Sequence, residues 1–297
     1  LSNDYLDPQF IENTNEKNIN IIKKLETEHL YLMSRFSQKY QQGIIELRKL
    51  SDLELIHEYV INQNKFFKLI DNNENFENLK TNNYGKRFRV DAPIINNDGK
   101  IIAKSADTLF KIDLCNNFEW VNNKVSVHHS LNINENGNYL SPININSKQN
   151  KYSEYFGNNY KDDAIGIFSN EGKLLSYKSI SEILIENNYI GFLLGIDRKL
   201  FEDPIHLNDI EPVFFDTKYL KRGDLFLSLR NRSAIIHYRP KDNKIIDLII
   251  GPFSHQHDVD ILDEKTISIF NNNNITKLGD NNLTTAASAT NERNYTN

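Results

Sequence analysis

The sequence predicts an all-β fold, a β-propeller of four-stranded blades, and three observations carry that prediction. From Gly43 onward the chain runs in short segments rich in Ile, Leu, Val, Phe and Tyr, broken by turn signals such as Asn97-Asp98-Gly99, Asn136-Gly137 and Glu171-Gly172. A segment of the form His-x-x-Asn/Asp-Ile, followed by a turn and a second strand, recurs at His129, His206 and His257. Hairpins that complete such units recur at residues 44–59, 109–120, 164–177 and 234–250. Four-stranded units repeated around an axis close by packing each sheet on the next. A β-sandwich with coincidental internal similarity is the alternative.

The elements follow in order. Residues from about Asn13 to Tyr40 carry helix-spaced apolar positions, Ile19, Ile22, Leu25, Leu30, Leu32 and Phe36, among Lys and Glu with no Gly or Pro. One or two helices are expected there, giving an N-terminal helical segment over 1–42 and a partial propeller over 43–297. A fourth copy of the repeat, Asp91-Ala92-Pro93-Ile94-Ile95, keeps the spacing to its glycine and has Asp where the others have His. About four and a half units can be counted, with a half blade at the front and a strand pair missing at the back. The blade between His129 and His206 is enlarged by the insertion Ser141 to Asp162 and by a short helix near Ser179 to Glu186.

Composition bounds the partners. With 39% hydrophobic and 25% charged residues in 297, the chain has the balance of a globular protein with a sizeable core. A net charge of −5 gives no global attraction to nucleic acid or anionic lipid, so an anion would be held by a local group of positive side chains. No basic stretch leads into an apolar run, so neither a signal peptide nor a membrane-spanning segment is read, and a chain that begins at Leu1 looks cut from a longer one. The lone Cys115, between Leu114 and Asn116, allows no internal disulfide and is expected as a small core residue on a strand.

Residues at one position of successive blades lie on a ring, so His129, His206 and His257 are expected to converge, within about 10 Å, on one small pocket. A packing role would accept many residue types; three histidines at one offset point to chemistry. Arg230 and Arg232, where one strand of the His206 blade turns into the next, supply forked donors that match a tetrahedral oxyanion. His128 and His255 neighbour the repeated histidines, Asn208 stands at the polar position of the second repeat, and with Arg232 they form a weaker substrate-binding tier. The pairs His128-His129 and His255-Gln256-His257 also look like metal-ligand pairs, but no Cys or acidic ligand stands at metal-site spacing. His29, His57 and His237 fall outside the repeated position and are expected to be structural or exposed.

The stretches HHSLNINENGNYL, DPIHLNDIEP, GDLFLSLRNRSAIIHY and GPFSHQHDVDIL followed by ISIFNNN resemble, in order, landmarks of the arylsulfotransferase family of six-bladed propellers, over roughly Asp91 to Asn273. The resemblance implies six blades in the whole protein and an extracytoplasmic, periplasmic setting. It also implies transfer of a sulfuryl group from an aryl sulfate to a phenolic acceptor through a covalent sulfohistidine, with no metal or organic cofactor. Carried over by motif, His257 matches the nucleophile, His129 and His206 the supporting histidines, and Arg230 the sulfate-holding arginine. The competing expectation is a propeller that binds a small anion or a protein without catalysis.

Overall fold

The computed structural model describes residues 26–70, 88–96, 98–105, 107–122, 124–157, 160–194, 202–273 and 289–294. The chain is an all-β propeller with few helices, and its antiparallel sheets fall into two compact units, residues 1–124 and 125–297.

In the first unit, β1 (Leu30–Ser37), β2 (Gln42–Lys49) and β3 (Leu55–Tyr59) form one sheet. A second comprises β4 (Asp91–Ile95), β5 (Ile101–Ser105), β6 (Thr108–Ile112) and β7 (Phe118–Val121). The helical spacing expected over residues 13–40 lies outside the described residues as far as residue 25, and Leu30–Ser37 is a strand. Pairing overrides the local pattern there: every residue from Leu30 to Ser37 has a partner in β2, and the Arg35 Nε donates to the fully buried Glu46 carboxylate at 2.6 Å. A buried carboxylate needs such partners, and Arg48 supplies the second at 2.6 Å. Gly43 is required where β2 meets the next segment, because a Cβ there would lie 2.8 Å from the Phe88 carbonyl oxygen. Helix α1 (Gln63–Ile70) closes this core by burying Phe66 among Phe88, Phe110 and Phe118. Cys115 is not a core residue: it is exposed in the β6–β7 turn, where the Asp113 carboxylate accepts from its backbone N–H at 2.8 Å.

The second unit holds three sheets in chain order. They are β8 (Asn132–Ile133), β9 (Tyr139–Asn146), β10 (Lys161–Phe168) and β11 (Leu174–Ser179); β12 (Leu207–Pro212), β13 (Leu225–Leu229), β14 (Ala234–Arg239) and β15 (Lys244–Ile250); then β16 (Asp258–Ile261), β17 (Thr266–Asn271) and β18 (Ala289–Asn294). The expected hairpins and the short helix, α2 (Ile180–Glu186) followed by α3 (Ile190–Leu194), are present. The glycine turns work as read: Gly137 and Gly172 adopt φ of 74° and 73°, conformations a side chain would strain.

In the fourth sheet the middle strands β13 and β14 are buried on both faces and are mostly apolar. Along β13, Leu225, Leu227 and Leu229 pack with Leu140, Ile165 and α2 on one side, while Phe226 packs with Val259 and Ile269 on the other. Burying each such side chain stabilises by about 1.5–3 kcal/mol. His237, expected to be structural, is buried in β14 with Nε2 2.8 Å from the Asp224 carboxylate, which Arg239 also holds.

The polar positions of the repeat stitch neighbouring blades together. Asp209 accepts from the Val259 backbone N–H at 3.2 Å, Asn132 donates to the Ile210 carbonyl at 2.9 Å, and Asn208 donates to the Gln256 carbonyl at 3.0 Å. The same seam gathers negative charge. Burial, reinforced by Asp260 and Asp258, raises Glu211 from 4.5 to about 7. The unfolded chain releases this proton near 4.5 and the folded chain near 7, so the folded state binds more protons in between and stability falls as pH rises through that window. The loss is about 1–3 kcal/mol after allowance for solvent screening. In thermal melts, Glu211→Gln should match the wild type near pH 4 and melt roughly 3–9 °C higher above pH 7; parallel curves at all pH values would remove Glu211 as the cause.

Candidate functional site

Three imidazoles meet where the inner strands of the second unit begin. His129 precedes β8, and its Nε2 lies 3.0 Å from Nε2 of His206, which precedes β12. The His129 ring centroid is 4.8 Å from that of His206 and 5.8 Å from that of His257, at the start of β16. The expected convergence is therefore present, closer than the sequence argument required.

The backbone explains how the rings come together. His129, His206 and His255 have φ of 51°, 53° and 52°, a left-handed conformation that costs a non-glycine residue roughly 1–3 kcal/mol. Ala92 has φ 47° within β4, in the bulge between Asp91 and Ile94. The left-handed conformation thus falls on His129, His206 and His255, the last of them two residues before the repeated His257. In the fifth sheet the histidine that joins the cluster, His257, stands two residues after the left-handed His255, whereas His129 and His206 are themselves the left-handed residues.

His257 is anchored from outside the repeat. Its Nδ1 lies 2.7 Å from the Asn272 side-chain amide, and its backbone N–H donates to the Phe270 carbonyl at 2.9 Å. Burial, and after it the Arg230 charge, lower its pKa below the ordinary 6.5, with His206 and His255 adding to the effect and a backbone hydrogen bond at His255 opposing it. An imidazole in this setting is neutral and carries a lone pair at neutral pH.

Arg230 opens a short 3-10 turn directly after β13; its backbone N–H donates to the His206 carbonyl at 3.1 Å, and its Nη1 donates to Asn231 Oδ1 at 2.9 Å. Arg232, two residues on, faces elsewhere. Its guanidinium lies 5.9 Å over the Phe192 ring and donates to the Leu193 carbonyl, so it anchors α3. His128 turns to the buried Asp163 carboxylate at 3.2 Å, although its ring stays 5.2 Å from that of His129. His255 keeps Nδ1 3.1 Å from the Ser254 hydroxyl. Asn208 is buried in the seam between blades. Of the weaker tier, then, His128, Arg232 and Asn208 are committed to structural partners.

Two neighbours escaped the sequence reading. Asp203 places Oδ2 2.7 Å from His206 Nδ1, and Asn272 meets His257; both lie inside the stretches quoted above, but no spacing rule singles them out. Among the described residues no group of three or more His, Cys, Asp or Glu is disposed to hold a metal ion, and no helix is long and apolar enough to cross a membrane.

Comparison with known proteins follows the same line. A search of curated proteins finds no match. Similar solved structures include a protein of unknown function from Bacteroides caccae (11% identity, TM-score 0.36, covering 82% of this chain and 82% of that one). Two others are the Cps50 (Swd1) β-propeller domain of Myceliophteria thermophila (10%, 0.46, 82% and 64%) and virginiamycin B lyase from Staphylococcus aureus (12%, 0.41, 83% and 69%). The model of the family described as arylsulfotransferase (ASST) matches residues 94–296, well over half of the sequence and all of the histidine cluster, and the chain belongs to that family.

Proposed function

We propose that this protein transfers a sulfuryl group from an aryl sulfate to a phenolic or other hydroxyl acceptor through a covalent intermediate on His257. The observation that carries the reading is the meeting of three imidazoles, with ring centroids 4.8 and 5.8 Å apart, under the charge of Arg230. Family membership supports a transferase acting on small molecules.

The chemistry fits the groups present. Nε2 of His257 attacks sulfur, the sulfur–oxygen bond to the aryl group breaks, and the aryl oxide leaves with the bonding pair. The acceptor oxygen then attacks sulfur, the nitrogen–sulfur bond breaks, and the acceptor proton passes to a neighbouring imidazole. Nε2 holds its lone pair when Nδ1 carries the proton, which requires Asn272 to turn its amide oxygen toward Nδ1. A sulfuryl group in transit demands positioning and positive charge around its equatorial oxygens; Arg230 would supply the charge, and the His129–His206 pair would frame the group.

The test is incubation of the full-length protein with 4-nitrophenyl sulfate and phenol. Release of 4-nitrophenolate that depends on phenol, with phenyl sulfate as product, is expected. Thermal stabilisation by sulfate or 4-nitrophenyl sulfate without any release would replace the transferase by an anion-binding propeller.

A further inference from the structure

The His206 ring is held from both ends. Its Nε2 faces His129 Nε2 at 3.0 Å, and its Nδ1 faces the Asp203 carboxylate at 2.7 Å. Two imidazole lone pairs at 3.0 Å would repel, so one proton lies between the two Nε2 atoms. A carboxylate accepts only, so the other contact needs a proton on Nδ1.

The segment carrying Asp203 is itself fixed. Asn231 donates to the Asp203 carbonyl at 2.7 Å and accepts from Arg230 Nη1 at 2.9 Å, while the Lys161 backbone N–H donates to the Glu202 carbonyl at 2.7 Å. One asparagine thus ties the backbone of Asp203, behind His206, to the arginine beside it. Burial works to raise the Asp203 pKa, but the hydrogen bond and charge of His206, with Lys161 and His128, outweigh it and hold the group below its ordinary 3.8. It is a carboxylate at any working pH.

We propose that Asp203 is a positioning residue that fixes the tautomer and ring orientation of His206, keeping the proton on Nδ1 so that Nε2 always presents its lone pair to the Nε2–H of His129 and holds that ring in place. Its role in turnover rests on the sulfuryl-transfer reading; its hold on the tautomer does not. The logic is that of a carboxylate behind a working histidine, where replacement by the amide leaves the geometry but permits the wrong tautomer, at a cost in rate of up to about 10⁴.

The test uses the full-length protein with ¹⁵N-labelled histidine, the His206 signals being identified by their loss in His206→Gln. Long-range ¹H–¹⁵N spectra should show the Nδ1–H pattern in the wild type and in Asp203→Glu, and the Nε2–H pattern in Asp203→Asn, with unchanged melting temperatures. With 4-nitrophenyl sulfate, Asp203→Asn should lower kcat by about 100-fold or more with KM within about threefold, and Asp203→Glu should recover at least about tenfold of the loss. An unchanged tautomer in Asp203→Asn, or a fall in kcat that Asp203→Glu shares in full, would overturn the proposal. A wild type without turnover would overturn the transferase reading instead, and the tautomer measurement would still decide the role of Asp203.

Discussion

His257→Ala is expected to abolish the covalent sulfuryl adduct that the wild type accumulates when given an aryl sulfate and no acceptor. The adduct should appear as the mass of one sulfuryl group, labile in acid as an N-sulfo bond is. Turnover of 4-nitrophenyl sulfate should fall by about 10³-fold or more, since covalent catalysis is lost with the nucleophile. His129→Ala and His206→Ala should slow adduct formation without removing it, because these rings frame the site and neither attacks sulfur. The pH dependence separates the roles further. Burial and the Arg230 charge lower the His257 pKa below 6.5; a nucleophile must be neutral, so the rate of adduct formation should fall only below that value as pH decreases. An adduct that persists in His257→Ala and vanishes in His129→Ala would move the nucleophile to the other ring.

Much of this was legible in the chain, and the limits have physical causes. Blade strands were readable because both faces are buried, which makes runs such as Leu225 to Leu229 and Ala234 to Tyr238 mostly apolar. The convergence of His129 and His206 followed from repetition alone. His257 joins them as the repeat predicts, although the left-handed residue of its sheet is His255, two residues earlier, which no letter announces. Leu30–Ser37 looked helical because a strand facing a hairpin partner along its whole length need not alternate strictly. The polar letter of the motif, read as part of a functional repeat, serves chiefly to join blades through Asn132, Asn208 and Asp209. Asp203 reaches His206 across Pro204 only because a loop folds back, and Asn272 is one of four consecutive asparagines that composition cannot tell apart.

The choice between the two arginines turns on what each already holds. Arg232 is spent on α3, with its guanidinium over Phe192 and an N–H on the Leu193 carbonyl, and burial lowers its pKa. Arg230 has its backbone on the His206 carbonyl and its charge felt by His257, and among the described residues its guanidinium donates to the neutral Asn231 side chain. A cation engaged with a neutral amide keeps its charge for an anion. Removing one well-placed donor to a developing oxyanion costs about 10²–10³ in kcat, so Arg230→Ala should lose about that much, and Arg230→Lys should recover little of it because an ammonium cannot make the paired, planar contact of a guanidinium. The loss should carry an electrostatic signature: without the Arg230 charge the His257 pKa rises, so the acidic limb of adduct formation moves to higher pH. Arg232→Lys should instead lower the melting temperature, through the contacts of α3, while the pH profile of adduct formation stays where it was. Full activity in Arg230→Lys, or an acidic limb that does not move in Arg230→Ala, would take the sulfate-holding role away from Arg230.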